Sequence, residues 1–114
     1  MRRDRQRLKD ILEALDWIAK VIAGRTEADF LADETLRFAV AQKLTIVGEA
    51  VARLSAEIKV GHNSVPWPDI VGLRNILVHE YFGIHWPLVW QTATDQAPGL
   101  RLQIAEILIS EFPE

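Results

Sequence analysis

The feature that most constrains this chain is a run of apolar residues that keeps a helical spacing from residue 33 to residue 59. Apolar side chains recur there at steps of three and four residues, the spacing of one face of an α-helix over about seven turns. The run consists of Leu36, Val40, Leu44, Val47, Val51, Leu54 and Ile58. It predicts one long amphipathic helix whose buried face the remaining segments must cover.

Shorter segments repeat this pattern on both sides of the long helix. Gly24 predicts the end of the first helix, and Thr26 with Asp29 predicts a capped turn after it. Further helices are predicted over residues 3–23, 69–81, 86–94 and 100–111. Since no segment alternates as a strand does, the sequence predicts an all-α bundle of four or five helices joined by short loops.

The length and the net charge of the chain limit the number of its domains and the kinds of ligand expected. A chain of 114 residues fits one domain, residues 1–114, with a modest core that would gain from burial in an oligomer. The net charge of −3 does not indicate duplex binding, but it leaves room for a small RNA site with local positive charge. The N-terminal arginines Arg2, Arg3, Arg5 and Arg7 are expected to be solvated, with contact to RNA phosphates or an acidic partner as the alternative.

Several classes of protein are excluded or disfavoured by what the sequence lacks. The absence of cysteine rules out disulfides and thiolate metal sites. No apolar run approaches the roughly 18 residues of a membrane span, and the N-terminus lacks a signal-peptide pattern, so a cytoplasmic protein with no membrane association is expected. The sequence has no zinc-protease motif, nucleophile elbow or glycine-rich phosphate loop. We therefore expect neither a metal nor a cofactor.

A glycine inside the long helix breaks the local rule. Glycine in a helix interior costs about 1 kcal/mol relative to alanine, so Gly48 predicts the close approach of another backbone. Glu49 beside it is either a plain surface acid or an inward-facing partner of a cation. Arg74 is the obvious candidate for that cation.

The most polar residues of an otherwise apolar segment are concentrated between Leu73 and Phe82. Arg74 offers a permanent bidentate cation, and His79 is of the residue type that exchanges protons near neutral pH. Together they could bind a phosphate and move protons beside it, the minimum for metal-free phosphodiester chemistry. From the residues alone, a structural arginine and a satisfied histidine are the favoured explanation.

The spacing of the two residues raises a geometric question. In a regular helix, residues five apart lie about 140° around the axis and about 7.5 Å along it, so Arg74 and His79 do not share a face. Arg74 and Tyr81 nearly do, and so do Asn75, His79 and Phe82. The polar groups converge if the helix ends or distorts near His79, or if a two-fold partner brings a second copy across a shared cleft. We favour the homodimer.

Other polar and aromatic residues have structural explanations. His62 lies in a predicted loop and is expected to be solvated, and Trp67 is expected to fill the core where that loop meets the bundle. His85 either caps the following helix, which we favour, or is a second site histidine. Trp86 and Trp90 lie one turn apart and are expected to pack rather than to stack on bases.

The longer string around the motif resembles the HepT-like branch of the HEPN superfamily. The resemblance rests on Pro-Trp-Pro-Asp-Ile at residues 66–70 and on Gly-Leu-Arg-Asn-Ile-Leu-Val-His-Glu-Tyr-Phe at residues 72–82. The latter is the family's Arg-x(4–6)-His hallmark in its Arg-Asn-x3-His-x-Tyr form. Ile-Val-Gly-Glu-Ala at residues 46–50 and Val-Trp at residues 89–90 resemble the helices on either side of it. The likeness covers most of the chain.

The resemblance implies a toxin that dimerises through its motif helices and cleaves RNA without a metal. The 2′-hydroxyl of RNA would attack, His79 would act as general base or acid, and Arg74 would stabilise the charge on the phosphorane. Asn75 would orient the phosphate or the imidazole, and Tyr81 would line the cleft. The family's partner is an MntA-like minimal nucleotidyltransferase antitoxin, which can transfer AMP to the motif tyrosine, here Tyr81.

Two other classes of function stay open beside the ribonuclease toxin. One is a non-catalytic nucleotide- or RNA-binding module that keeps the motif for ligand contacts. The other is a helical scaffold that docks a nucleotidyltransferase. Cleavage of RNA separates the first class from these two.

Overall fold

The computed structural model describes residues 2–113, except for the side chains of Arg2 and Tyr81. Throughout that part the regular structure is helical, which confirms the predicted all-α bundle. The α-helices are α1 (Arg2–Ile22), α2 (Glu27–Ala32), α3 (Glu34–Arg53), α4 (Ala56–Gly61), α5 (Trp67–His79), α6 (Trp86–Gln91) and α7 (Ala97–Glu111). No helix in the described part is long and apolar enough to span a membrane.

The turn between α1 and α2 forms as its residues predict. Gly24 has a φ of +75°, a left-handed conformation that glycine adopts at no steric cost and that ends α1. Thr26 then caps α2, because its hydroxyl accepts from the backbone N–H of Asp29 and the Asp29 carboxylate accepts from the backbone N–H of Thr26. This reciprocal pair satisfies two N–H groups that the helix itself leaves open.

The prediction of one continuous helix over residues 33–59 is wrong, because the structure breaks this range into α3 and α4 near its C-terminal end. The chain turns extended at Leu54 (φ −65°, ψ 146°) and resumes as a helix after Ser55. Asp4 of α1 accepts from the Ser55 backbone N–H at 3.0 Å and from its hydroxyl at 2.6 Å. The buried Asp4 carboxylate thus takes a donor that a continuous helix would use, while the Ser55 hydroxyl caps α4.

Two other predicted boundaries also differ. Helix α5 ends at His79, two residues before the prediction, and a 3₁₀ turn follows over Tyr81–Gly83. The loop expected around Pro98 is absent, because a π-helical segment, Thr92–Gln96, joins α6 to α7 without a break. Pro98 has no N–H to donate into the preceding turn, so it is tolerated within the first turn of α7.

Helix α3 lies at the centre of the molecule and positions the motif helix. It packs against α1 on one side and α5 on the other, and α7 packs against α1. Trp67 is buried in the core at the start of α5, and its indole N–H donates to the carbonyl oxygen of His62 at 3.1 Å, as expected of a core residue at a loop. Trp86 and Trp90 pack around the buried Phe30, which confirms their structural role.

Candidate active site

The motif helix α5 meets α3 at Gly48. A Cβ built at this glycine would overlap the Cβ of Arg74 and lie 2.8 Å from its Cγ and 3.3 Å from the carbonyl oxygen of Ile70. Only a residue without a side chain allows this approach, so the predicted close contact at Gly48 is confirmed. The contact fixes where the Arg74 side chain leaves α5.

The guanidinium of Arg74 is held by one residue from each helix. Its Nε donates to Oε1 of Glu49 at 2.7 Å, and its Nη2 contacts the same oxygen. Its Nη1 donates to Oδ1 of Asn75 at 2.6 Å. Glu49 therefore faces the cation, as one of the two alternatives from the sequence predicted, and is not a plain surface acid. Arg74 is partly buried, with a quarter (26%) of its side chain exposed.

The remaining donors of Arg74 define what the site can bind. Each Nη atom carries two N–H groups, and each uses one of them in the contacts with Glu49 and Asn75. The others are available to an anion that reaches the exposed side of α5. A fixed guanidinium of this kind suits a phosphate oxygen, because its planar donors match the geometry of the acceptor.

His79 lies at the last position of α5, one turn after Asn75, and both side chains are exposed. Their spacing of four residues places them on one face of the helix, as predicted. In the part of the chain that the structure describes, no hydrogen bond joins His79 to Arg74. One subunit therefore presents the imidazole and the guanidinium without direct contact between them, on different faces of α5.

The helix end changes the predicted geometry of the next residues. Glu80 leaves the helical conformation (φ −115°, ψ 44°), so Phe82 does not continue the faces of α5. The expectation that helical spacing aligns Phe82 with His79 is wrong for this reason, and Phe82 is fully exposed. The expectation that Tyr81 aligns with Arg74 concerns a side chain outside the described residues. The helix does end at His79, the first of the two conditions considered above, but this end does not bring His79 into contact with Arg74 within one subunit.

A second cation beside the site was not predicted. Nε of Arg53 lies 4.0 Å from Oε2 of Glu49, the oxygen opposite to the one that Arg74 contacts. The two residues are four apart on α3, a spacing that brings helical side chains together, so the sequence contained the signal. Glu49 is thus placed between two arginines.

The other candidate residues lie away from Arg74. His62 is not simply solvated as expected, because its Nε2 lies 2.7 Å from Oε2 of Glu111 and its side chain is mostly buried. His85 occupies the N-cap position of α6, but its exposed side chain makes no capping hydrogen bond. Of the N-terminal arginines, Arg3 is exposed and Arg7 is partly buried in a cleft between α1 and α3.

The exposed side of the motif region is partly apolar. Val78 is also exposed, but it lies on another side of α5 because it is two residues from Ile76. We call the remaining surface the apolar motif face, and it consists of Ile76, Phe82 and Leu88. Beside it, a groove of about 490 Å³ runs between α5 and the segment from α6 to α7, with Ile76 and Leu88 among its lining residues. Large exposed apolar patches next to polar groups are typical of protein interfaces. Across the described residues, no group of three or more His, Asp or Glu side chains is placed to hold a metal.

Comparisons with known proteins agree with the geometry. Residues 11–107 match the family model "Ribonuclease HepT-like". The chain is 37% identical over 111 residues to "Putative RNase TTE0752" of Caldanaerobacter subterraneus subsp. tengcongensis, covering 97% of this chain and 99% of the relative. It is 34% identical over 94 residues to "Probable ribonuclease HepT" of Thermococcus cleftensis, covering 82% and 86%. No solved structure gives a significant match.

Proposed function

The chain belongs to the HepT-like ribonuclease family, and on this premise we propose that it is a metal-independent endoribonuclease and the toxin of a toxin–antitoxin system. The observation that carries the proposal is the fixed position of Arg74, which Glu49 and Asn75 hold on the helix that ends at the exposed His79. A positioned cation and a proton-transfer group are what phosphodiester transesterification needs when no metal supplies the charge.

The proposed reaction is attack of the RNA 2′-hydroxyl on the adjacent phosphorus. The new P–O bond forms as the bond to the 5′-oxygen breaks, which leaves a 2′,3′-cyclic phosphate and a free 5′-hydroxyl. His79 removes the proton from the 2′-hydroxyl or supplies one to the leaving 5′-oxygen. The free N–H groups of Arg74 stabilise the negative charge that develops on the phosphorane oxygens. Asn75 keeps the guanidinium oriented.

We propose further that the active unit is a homodimer formed through the apolar motif face. In one subunit His79 and Arg74 do not touch, so a second copy across a two-fold axis would supply the missing partner for each. The exposed aliphatic residues and Phe82 offer the surface for such contact, and their burial would add to the modest core of a chain of 114 residues.

The proposed inhibitor is an MntA-like minimal nucleotidyltransferase antitoxin that transfers AMP to Tyr81. The backbone of Tyr81 lies in the 3₁₀ turn immediately after the motif helix. AMP attached there would place a phosphate and a nucleobase close to the cleft that the two motif helices of the proposed dimer would share. The added anion would compete with RNA for Arg74 by charge and by volume.

Incubation of purified protein with end-labelled RNA in EDTA tests the catalytic proposal. Wild type should cleave and leave 2′,3′-cyclic phosphate ends, whereas Arg74→Ala and His79→Ala should lose cleavage while keeping the oligomeric state of wild type in sedimentation. Cleavage by His79→Ala at the wild-type rate would contradict the role of the imidazole. Binding of RNA without turnover by the wild type would favour a binding module instead, provided that mass spectrometry finds Tyr81 unmodified.

A further inference from the structure

A polar cleft of about 390 Å³ lies between α1 and α3, on the side of α3 where Glu49 emerges. Helix α1 lines one wall and α3 lines the other. Its charged lining residues are Arg7, Asp10, Glu13, Lys43, Glu49 and Arg53. None of the catalytic roles described above uses this cleft, although it begins at the residue that holds Arg74.

Four of the charges in this cleft do not neutralise one another. Within the part of the chain that the structure describes, Arg7 and Lys43 form no ion pair with Asp10 or Glu13, although all four line the same space. Nε of Arg7 is buried without a hydrogen-bond partner there. Charges that serve only to join two helices normally pair, because an unpaired buried donor costs free energy. The two cations, the Glu13 carboxylate and the Asp10 oxygen that does not accept from Gln6 are therefore available for a ligand.

The two unpaired cations are held in place by their surroundings. Arg7 is partly buried between the helices, and Nζ of Lys43 lies 5.1 Å from the centre of the Trp17 ring, within range of a cation–π interaction. A cation that is already restrained loses less conformational entropy when it binds an anion than a free surface lysine does.

The cleft adjoins the candidate active site at Glu49. Glu49 lines the cleft and also accepts from Arg74, and Arg53 lies beside its other oxygen. On α3 the lining residues extend from Gln42 to Arg53, which corresponds to about 16 Å of helix. A strand whose phosphate sits at Arg74 has room for neighbouring nucleotides along this cleft.

We propose that this cleft binds the single-stranded RNA that flanks the scissile phosphate. Arg7 and Lys43 contact phosphates, while Asp10 and Glu13 accept hydrogen bonds from the exocyclic amino groups of bases. Mixed charge fits single-stranded RNA, whose bases expose such donors, better than it fits a duplex, whose outer surface is phosphate. Carboxylates pair well with the amino group of cytosine, whereas uracil presents an oxygen at that position. This inference rests on the proposed function, because it assigns the substrate of that site.

The test measures RNA binding apart from cleavage. Fluorescence anisotropy with a labelled single-stranded oligonucleotide is recorded for His79→Ala, so that the substrate stays intact. Adding Arg7→Gln and Lys43→Gln should weaken binding. The slope of log K against log salt is negative, and its magnitude should fall by about 0.7 for each phosphate that the protein no longer neutralises. The matched control adds Lys20→Gln and Lys59→Gln, which remove the same charge outside the cleft. Equal binding by the two proteins would overturn the proposal.

Base preference gives a second readout. The His79→Ala protein should bind oligocytidine at least about fivefold more tightly than oligouridine, the lower end of the discrimination of a good base contact. Asp10→Asn together with Glu13→Gln should reduce that ratio towards one. An unchanged ratio would show that these carboxylates do not recognise bases. Lys43→Gln alone serves if the double cation variant unfolds, since Lys43 anchors no ion pair among the described residues.

The two proposals can fail separately. If wild type cleaves RNA and the cleft variants keep its KM, the cleft is not part of the RNA site and the ribonuclease assignment stands. If wild type does not cleave RNA but binds it through Arg7 and Lys43, the cleft assignment stands and the catalytic proposal falls. In an active enzyme the cleft variants should raise KM and leave kcat near the wild-type value, because neither residue touches the reacting phosphate.

Discussion

Replacing Gly48 with alanine tests whether the close packing of α3 against α5 positions Arg74. The new Cβ would overlap the Arg74 Cβ and approach its Cγ at 2.8 Å and the carbonyl oxygen of Ile70 at 3.3 Å. These atoms belong to the backbone of α5 or lie next to it, so a swing of one side chain cannot relieve the overlap. Carbon atoms pack best at about 3.5–4.0 Å, so α5 must move away by a distance on the order of 1 Å.

The expected loss of stability is small and the expected loss of activity is large. Overpacking costs about 1–3 kcal/mol, while exchange of a helical glycine for alanine gains about 1 kcal/mol. The free energy of unfolding should therefore fall by about 0–2 kcal/mol, which leaves the protein folded. The Arg74 guanidinium moves with α5, and a displacement on the order of 1 Å at a catalytic group can lower the rate about 100-fold.

Urea denaturation and single-turnover cleavage of labelled RNA measure these two quantities on the same preparation. Gly61→Ala is the matched control, because Gly61 lies at the end of α4 and an added Cβ there meets nothing within 4 Å. The control should cleave RNA as wild type does. A Gly48→Ala protein that is folded and cleaves at the wild-type rate would refute the argument that this contact sets the position of Arg74.

Three further predictions concern hydrogen bonds described above. Asp4→Ala should lower the free energy of unfolding in urea by about 1–3 kcal/mol, because it leaves the partly buried Ser55 N–H without its acceptor; an unchanged midpoint would contradict this. Glu49→Gln should lower kcat about tenfold without raising KM, since Arg74 loses orientation but gains net positive charge; parallel losses in both would point to misfolding. A backbone hydrogen bond from the N-cap Thr26 lowers the pKa of Asp29 below its ordinary value. The contribution of Asp29 to stability is therefore present above the pKa of the unfolded state and lost as the pH falls through the lowered pKa, and Asp29→Asn should flatten the acid limb of a pH–stability curve.

The sequence predicted the helical class and the contact at the site because both depend on local rules. Apolar spacing along α1 and α3 shows which faces are buried, and a glycine within a helix indicates close approach of another backbone. Gly48 could therefore be assigned to a close helix contact from the sequence alone, whereas the pairing of Glu49 with Arg74 was one of two alternatives.

The errors occurred where a distant residue overrides local preference. Asp4 breaks the long helix at Ser55, and no periodicity within residues 33–59 contains that information. The end of α5 at His79 likewise has no glycine or proline to mark it, since the next glycine is Gly83. His62 appeared to be a loop histidine because its partner, Glu111, lies at the other end of the domain's last helix. The lining residues of the cleft between α1 and α3 come from two helices that are distant in sequence. The pattern of either helix alone therefore does not reveal the cleft.

The dependence of Ser55 on Asp4 also bears on the order in which the chain folds. The two residues are 51 positions apart, so their contact closes a long loop, whereas the periodicity of residues 33–59 favours a straight helix at once. A chain in which α1 has not yet packed on α3 lacks the acceptor that ends the helix at Ser55. Chains that lose their first residues would keep every motif residue, yet would lack the contact that turns α4 towards its native direction.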